Sequence, residues 1–305
     1  MPDLTLLRSL LVQAVSDNIV LKDNGAFHHG ATGVVVSGGV DSSTVCAIAR
    51  DLVGDLPTFT GYYDTEGFDE RPYARLVAGA NHHEIPITPQ DFIDNFDAMV
   101  PKLRPPYQGM GTFGQYMVGK YISENTDVKV VLSGEGADEL FGGYARLIAV
   151  AKQCGFAVDD VRLPDGYENY RIPVGYPRNT YDALEYDWQR LPDLLAVDDQ
   201  CMAAHGLEAR APFTEEPVIT FAHGLYAEDR VAKTVLKDAM RGIVPDAILD
   251  RTDKQGFPIP LNRWAQNELR DFVGDRIGYI PNPEKPWDRG FWYDLLEHGR
   301  QSVAA

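Results

Sequence analysis

The chain has 305 residues, 44% of them hydrophobic, which is enough for one large or two modest domains with a proper core. Its formal net charge of −17 repels phosphate backbones and argues against nucleic-acid binding, and no apolar run is long enough to predict a membrane span. Three scattered cysteines, Cys46, Cys154 and Cys201, lack metal-ligand spacing and favour reduced thiols. We therefore expect a cytoplasmic protein without a membrane or nucleic-acid partner.

Strands and helices alternate over the first half of the chain. Apolar spacing predicts helices over 4–19, 41–52, 68–80, 89–100 and 112–123 and strands over 33–36, 57–62, 83–87 and 129–132. Beyond residue 144 the pattern is mainly helical, with predicted helices over 181–204, 231–241, 261–273 and 291–298. The alternation predicts an α/β fold with a doubly wound parallel sheet, followed by a mainly helical C-terminal part.

This pattern also suggests a division of the chain into domains. We predict an N-terminal helical extension over residues 1–30 and one domain over 31–305. Within that domain we place the α/β core at about 31–150 and the helical part at about 180–305.

A glycine-rich turn follows the first predicted strand. Residues 37–43 read S-G-G-V-D-S-S and lead directly into a helix. Loop amides and a positive helix end attract phosphate oxygens, the serine hydroxyls add donors, and Asp41 can hold a divalent cation. An ordinary strand-to-helix turn also favours Gly and Ser, so this motif by itself leaves both interpretations open.

A second turn of this kind follows the strand over 129–132. Residues 133–144 read S-G-E-G-A-D-E-L-F-G-G-Y, which crowds carboxylates among small residues. Ligands of an open parallel sheet bind beyond the carboxyl ends of its strands, so we expect both loops to face one crevice and Asp41 to meet Asp138 across it. Two acidic residues beside a triphosphate predict a Mg²⁺ ion between them and the phosphates. The alternative, helix N-terminal charges at Asp138 and Glu139, does not explain Glu135 or the flanking glycines.

The paired motifs resemble the synthetase domain of the asparagine synthetase family, within the adenine nucleotide alpha-hydrolase-like (PP-loop) ATP pyrophosphatases. Later segments agree: H-G-L-E-A-R-A-P-F at 205–213 and K-Q-G-F at 254–257 are similar to family patterns, so the resemblance runs from about residue 33 to 264. It implies a ligase that adenylates a carboxylate with ATP and Mg²⁺, transfers the acyl group to ammonia or an amine, and releases AMP and pyrophosphate. Aspartate, giving asparagine, is the expected acid.

The resemblance also implies roles for individual residues. Glu135 and Lys254 are the expected catalytic residues: Glu135 takes a proton from the incoming amine, and Lys254 neutralises charge that grows on the α-phosphate or on the tetrahedral intermediate. Asp41 and Asp138 are the expected metal ligands, and Glu135, Asp138 and Arg210 are expected to contact the acid substrate. The expected ATP-binding residues are Val36, Ser37, Gly38, Gly39, Asp41, Ser42, Ser43, Gly61, Ser133 and Gly134. Glu135 stands where β-lactam synthetases carry Tyr, which favours amidation between two molecules over ring closure.

Two departures from the family pattern bear on the substrates. Because the chain begins Met1-Pro2-Asp3, we expect it to lack the family's N-terminal glutaminase domain and to take nitrogen from free ammonia, a separate glutaminase subunit or a substrate amine. Where the family has R-x-D-R, residues 197–200 read V-D-D-Q, and Val197 cannot grip a carboxylate as Arg would. A different carboxylic acid therefore stays open as the substrate, and so does a catalytically silent ATP-binding protein.

Overall fold

A computed structural model of the chain describes residues 2–20, 31–65, 68–105, 109, 111–156, 172–251, 259–282 and 289–304. Its centre is a sheet of five strands, all parallel. The strands are β1 (Thr32–Val35), β2 (Thr58–Tyr62), β3 (His82–Pro86), β4 (Val130–Leu132) and β5 (Glu208–Arg210).

The order across the sheet is β3-β2-β1-β4-β5. From β1 the chain winds one way through β2 to β3 and then the other way through β4 to β5. Val34 of β1 stands beside both Thr58 of β2 and Leu132 of β4. The order reverses between β1 and β4, and such a switch point opens a crevice at the carboxyl ends of the two strands. The predicted doubly wound parallel sheet is confirmed.

Helices cover both faces of the sheet and make up most of the second half of the chain. They are α1 (Leu4–Asn18), α2 (Val40–Val53), α3 (Arg71–Ala74), α4 (Pro89–Met99), α5 (Gly111–Asn125), α6 (Ala137–Phe141), α7 (Ala145–Gln153), α8 (Thr180–Trp188), α9 (Leu191–Ala203), α10 (Glu216–His223), α11 (Ala227–Arg230), α12 (Thr234–Met240), α13 (Asp246–Leu249), α14 (Leu261–Gln266), α15 (Arg270–Ile277) and α16 (Arg289–Ala304). Short 3-10 turns cover Val100–Lys102, Pro212–Thr214 and Val231–Lys233. Within the described ranges, no helix is both long and apolar enough to cross a membrane.

Alternation along the strands separates two apolar layers. Val34 and Val36 pack into one layer with α1, α2, α10 and α12, whereas Val35 and Phe59 pack into the other, which contains α4, α5, α9 and α16. Successive strand residues point to opposite faces, so a sheet covered on both sides needs the continuous apolar run that predicted β1. α1 packs in the same layer as α2, through Leu7 and Leu11 among other residues.

Several predicted elements differ from the structure at proline or polar positions. The helix predicted over 68–80 is reduced to α3, in a segment that also holds Pro72 and Gly79, both poor helix residues. The helix predicted over 181–204 is two helices because Pro192 lies in the first turn of α9, which begins at Leu191, and proline cannot continue a preceding helical turn. Strand β5 was not predicted, since its three residues Glu-Ala-Arg carry no apolar signal.

Candidate active site

The loop after β1 forms an open helix N-terminus. The Ser37 amide donates to the Ser42 hydroxyl at 3.0 Å, which holds the turn closed. α2 begins after Gly39, whose position offers no side-chain cap to the first helical amides. The hydroxyl of Ser43 is buried and has no hydrogen-bond partner within the described part of the chain. Uncapped amides and a spare buried hydroxyl suit an anion such as a phosphate group.

The loop after β4 lies directly against this turn. A Cβ placed on Gly134 would stand 2.6 Å from the Ser42 nitrogen and 2.7 Å from the Asp41 Cβ. Only glycine permits so close an approach. The structure therefore brings the two motifs together at the carboxyl ends of β1 and β4, as their position after neighbouring strands predicted.

Lys233 connects the two carboxylates that the sequence singled out. Its Nζ lies 2.7 and 2.6 Å from Oδ1 and Oδ2 of Asp41 and 2.5 Å from Oδ1 of Asp138. Burial disfavours the charged ammonium, but the attraction of Asp138 and Asp41 outweighs it and raises the pKa of Lys233. Sequence reasoning missed this residue, because it lies 192 positions from Asp41 and outside any of the quoted motifs.

The backbone around Lys233 explains the second glycine pair of the motif. Ala232 and Lys233 have φ of +60° and +61°, a left-handed conformation that is uncommon for residues with side chains. The amide of Ala232 donates to the Gly142 carbonyl at 2.9 Å. A Cβ on Gly143 would stand 1.9 Å from Asp138 Oδ1 and 2.1 Å from Lys233 Cε. Gly143 therefore leaves the room in which the ion pair forms.

More carboxyl groups surround Glu135. Burial raises its pKa well above the usual range, and the negative charges of Asp198, Glu139, Asp138 and Asp41 raise it further. Burial also raises the pKa of Glu139 to about 7 and that of Asp198 to about 6. The Tyr144 hydroxyl donates a hydrogen bond to Glu139 Oε1. A carboxylate with a raised pKa suits the predicted proton-accepting role of Glu135.

The predicted acid-binding residue Arg210 faces a different neighbourhood. Its backbone carbonyl accepts from the Ser133 amide at 2.9 Å, so β5 borders the second loop. Its guanidinium donates to Glu208 at 2.9 Å and to the Asn18 carbonyl at 3.0 Å, which directs the side chain toward the end of α1. Contact of Arg210 with the acid substrate stays a prediction.

Two of the predicted ATP-binding residues, Val36 and Gly61, lie just after β1 and on β2. Val36 donates its amide to Phe59 at 2.8 Å, and its carbonyl accepts from the Thr60 hydroxyl at 2.6 Å. Gly61 lies on β2 opposite Ile85 of β3, one strand away from β1. Their backbone contact with adenosine stays a prediction.

Lys254 lies outside the described residues, but Arg251, three positions earlier, contacts the loop after β1. Its guanidinium donates to the Gly38 carbonyl at 3.0 Å, pairs with Glu70 at 2.5 Å and lies 3.5 Å from the ring centre of Tyr73. Arg251 is therefore held against the first motif. The sequence places this arginine at the start of the segment similar to the family's K-Q-G-F stretch but predicts no role for it.

The residues fit a divalent cation that takes some of its ligands from the protein and the others from a nucleotide and water. Asp41 and Asp138 converge closely enough to contact one nitrogen atom, and carboxylates are the ligands that Mg²⁺ prefers. Across the described ranges, no three His, Cys, Asp or Glu side chains are grouped as a complete metal site. Phosphate and water oxygens would supply the other ligands, which is the usual arrangement for Mg²⁺ in nucleotide sites.

Comparison with known proteins identifies the family. The chain is 27% identical to asparagine synthetase [glutamine-hydrolyzing] 1 of Bacillus subtilis over 80% of this chain and 49% of the relative. It is 29% identical to asparagine synthetase [glutamine-hydrolyzing] of Gallus gallus over 87% of this chain and 47% of the relative. The chain thus spans about half the length of these curated relatives. The asparagine synthase family model matches residues 7–171 and 175–301, and the chain belongs to this family.

Proposed function

We propose that this protein is an ATP-dependent amide synthetase that converts aspartate to asparagine, with release of AMP and pyrophosphate. The observation that carries the proposal is the meeting of two motifs at the carboxyl ends of β1 and β4, where Asp41 and Asp138 both contact the Lys233 ammonium. The relatives named asparagine synthetases support the choice of aspartate.

The proposed chemistry begins with activation of the acid. A carboxylate oxygen attacks the α-phosphorus of ATP and pyrophosphate leaves, which gives an acyl-adenylate. The amides and hydroxyls of residues 37–43 bind the phosphates, and Lys254 neutralises negative charge as the bond forms. A Mg²⁺ ion held by Asp41 and Asp138 would offset the charge of the phosphate chain.

The second step forms the amide. Ammonia or an amine attacks the acyl carbon, Glu135 accepts the proton that the nitrogen loses, and AMP departs. The raised pKa makes the Glu135 carboxylate a stronger proton acceptor. Val36, Gly61, Ser133 and Gly134 are the proposed neighbours of the adenosine, and Glu135, Asp138 and Arg210 those of the acid.

The nitrogen source is a separate part of the proposal. The relatives are named glutamine-hydrolyzing, but this chain spans about half of their length. We propose free ammonia or an amine as the direct nucleophile, with a separate glutaminase subunit as one possible supplier.

A different carboxylic acid is the second candidate, favoured by one observation. Val197, at the position where the family resemblance expects a substrate-gripping Arg, is buried in the apolar layer with α5 and α9. An acid with less need for a cationic partner would suit this site.

The test is pyrophosphate release from ATP, Mg²⁺ and ammonium with a panel of amino and carboxylic acids. We expect release that depends on aspartate, with asparagine as product. Release that depends on another acid would change the substrate and keep the chemistry. Tight ATP binding without release for any acid would contradict the synthetase proposal and favour a silent binding protein.

A further inference from the structure

We infer that Lys233 is a built-in cation that holds the position between Asp41 and Asp138 until a divalent metal arrives with the nucleotide. Metal binding is then an exchange of one cation for another. The inference rests on the proposed use of metal-bound ATP, but it concerns the protein before any reaction.

The ion-pair geometry is that of an occupied cation site. Three carboxylate oxygens, two from Asp41 and one from Asp138, lie 2.5 to 2.7 Å from a single nitrogen atom. The side chain of Lys233 is only 12% exposed, so solvent screens this arrangement weakly. A metal that used the same oxygens would stand beside the ammonium, and two cations so close would repel strongly. Lys233 must therefore release at least one carboxylate when a metal binds.

The surrounding backbone is shaped to put the ammonium there. Lys233 and Ala232 both adopt the left-handed conformation, and the Gly142 carbonyl fixes this turn through the Ala232 amide. Gly143 has no Cβ that would overlap Asp138 Oδ1 and Lys233 Cε. A strained turn of this kind persists only where surrounding contacts enforce it.

This arrangement has a consequence for the order of binding. In the nucleotide-free protein the ammonium prevents repulsion between the two aspartates, so a metal by itself gains little by replacing it. A polyphosphate changes the balance, because its oxygens can ligate the metal and also attract the displaced ammonium. We therefore expect metal and polyphosphate to bind together far more tightly than either alone.

The experiment compares metal binding in variants that remove one lysine charge. Mn²⁺ binding is measured without nucleotide, by electron paramagnetic resonance and calorimetry, for wild type and Lys233→Met. We expect at least about a tenfold gain in Mn²⁺ affinity for Lys233→Met, and a larger rise in its melting temperature on adding Mn²⁺ than in wild type. Lys237→Met is the matched control: it removes another lysine charge, on α12, which senses the charge of Asp41 but forms no ion pair with Asp41 or Asp138 among the described residues. Equal Mn²⁺ affinity in folded wild type and Lys233→Met would overturn the inference.

A second measurement uses wild type alone, so it tests the inference even when Lys233→Met does not fold. Wild type is titrated with MnCl₂, with metal-free tripolyphosphate and with their complex. Binding of the complex at least about tenfold tighter than either component supports the exchange, whereas independent binding of the components overturns it. These readouts need no acid substrate, so a failed pyrophosphate assay contradicts the proposed reaction and leaves this inference standing.

Discussion

The two sides of the crevice are built differently. At the carboxyl ends of β1 and β4, two short motifs bring Asp41 and Asp138 to within 2.7 Å of the Lys233 nitrogen. At the β5 side, Arg210 is bound to Glu208 and Asn18, and Val197 is buried in the core. The proposed nucleotide side is therefore built on two local turns after strands, to which Lys233 and Arg251 add contacts from distant positions, whereas no local motif forms the proposed acid side.

Loss of a carboxylate at the carboxyl ends of β1 and β4 should have the largest effect on activity. We expect Asp138→Asn to lower kcat/KM for pyrophosphate release about 10³-fold, because it removes a proposed metal ligand and one partner of Lys233. Steady-state pyrophosphate release measures the loss. Asp199→Asn, at an exposed position, is the control and should leave the rate unchanged. Comparable rates for Asp138→Asn and wild type would remove Asp138 from the metal site.

The room beside that carboxylate should matter almost as much. In Gly143→Ala the added Cβ overlaps Asp138 Oδ1 and Lys233 Cε, so the ion pair must move. We expect about a 100-fold loss of activity and about 1–3 kcal/mol lower free energy of unfolding, as for overpacked sites. Pyrophosphate release and urea unfolding check both numbers. Gly224→Ala, whose Cβ meets only ordinary contacts at 3.4 Å, should behave as wild type, and equal losses in the two variants would contradict the steric argument.

The strands and loops around the switch point illustrate what the sequence predicts well. The apolar run before residues 37–43 predicts β1 with a shift of one residue, and the switch point follows from the alternation of strands and helices. The contact between the two loops follows because both lie after neighbouring strands. Each of these features is local or follows from a general rule of parallel sheets.

Other features depend on contacts between distant residues. Lys233 reaches Asp41 across 192 positions, and Arg251 reaches Gly38 across 213. Neither lysine nor arginine is distinguished from a surface residue by its neighbours in the sequence. The direction of the Arg210 side chain is set by Asn18 on α1, which strand alternation alone does not reveal.

Arg251 provides a smaller perturbation of the nucleotide side. Arg251→Lys keeps the charge but loses the planar contact with Tyr73 and part of the pairing with Gly38 and Glu70. We expect about a tenfold rise in the KM for ATP with a smaller change in kcat, because the loop after β1 loses a support. Arg241→Lys is the control, since Arg241 pairs with Asp246 and Asp250 in a more exposed setting. An unchanged KM for ATP would limit Arg251 to a structural role.

Arg210 tests the opposite side of the crevice. If its guanidinium turns from Asn18 to the substrate, Arg210→Ala should raise the KM for the acid about fivefold and leave the KM for ATP unchanged. Glu208→Gln keeps the guanidinium and removes its acidic neighbour, so its KM for the acid should not rise. Saturation curves for both substrates make the comparison. An unchanged KM in Arg210→Ala would assign recognition of the acid to other groups.

Asp198 should affect turnover least and reveal itself through pH. Its folded-state pKa of about 6 lies above its usual 3.8, so protonation stabilises the folded protein. That stabilisation is complete below about pH 4 and is lost as the pH rises through about 6. Asp198→Asn has no such charge to bury, so we expect it to exceed wild type by about 1–3 kcal/mol in unfolding free energy at neutral pH and to lose this advantage in acid.

The same substitution changes the surroundings of Glu135, because the charge of Asp198 contributes to the raised pKa of that base. We expect the acidic limb of the pH–rate profile to move to lower pH in Asp198→Asn, with kcat on the plateau within about twofold of wild type. Urea unfolding at several pH values and the pH dependence of pyrophosphate release measure the two effects separately. A stability difference that is the same at every pH would mean that Asp198 does not change its charge on folding. An acidic limb that stays in place would show that the charge on Asp198 does not reach Glu135, and the two sides of the crevice would then be electrostatically independent.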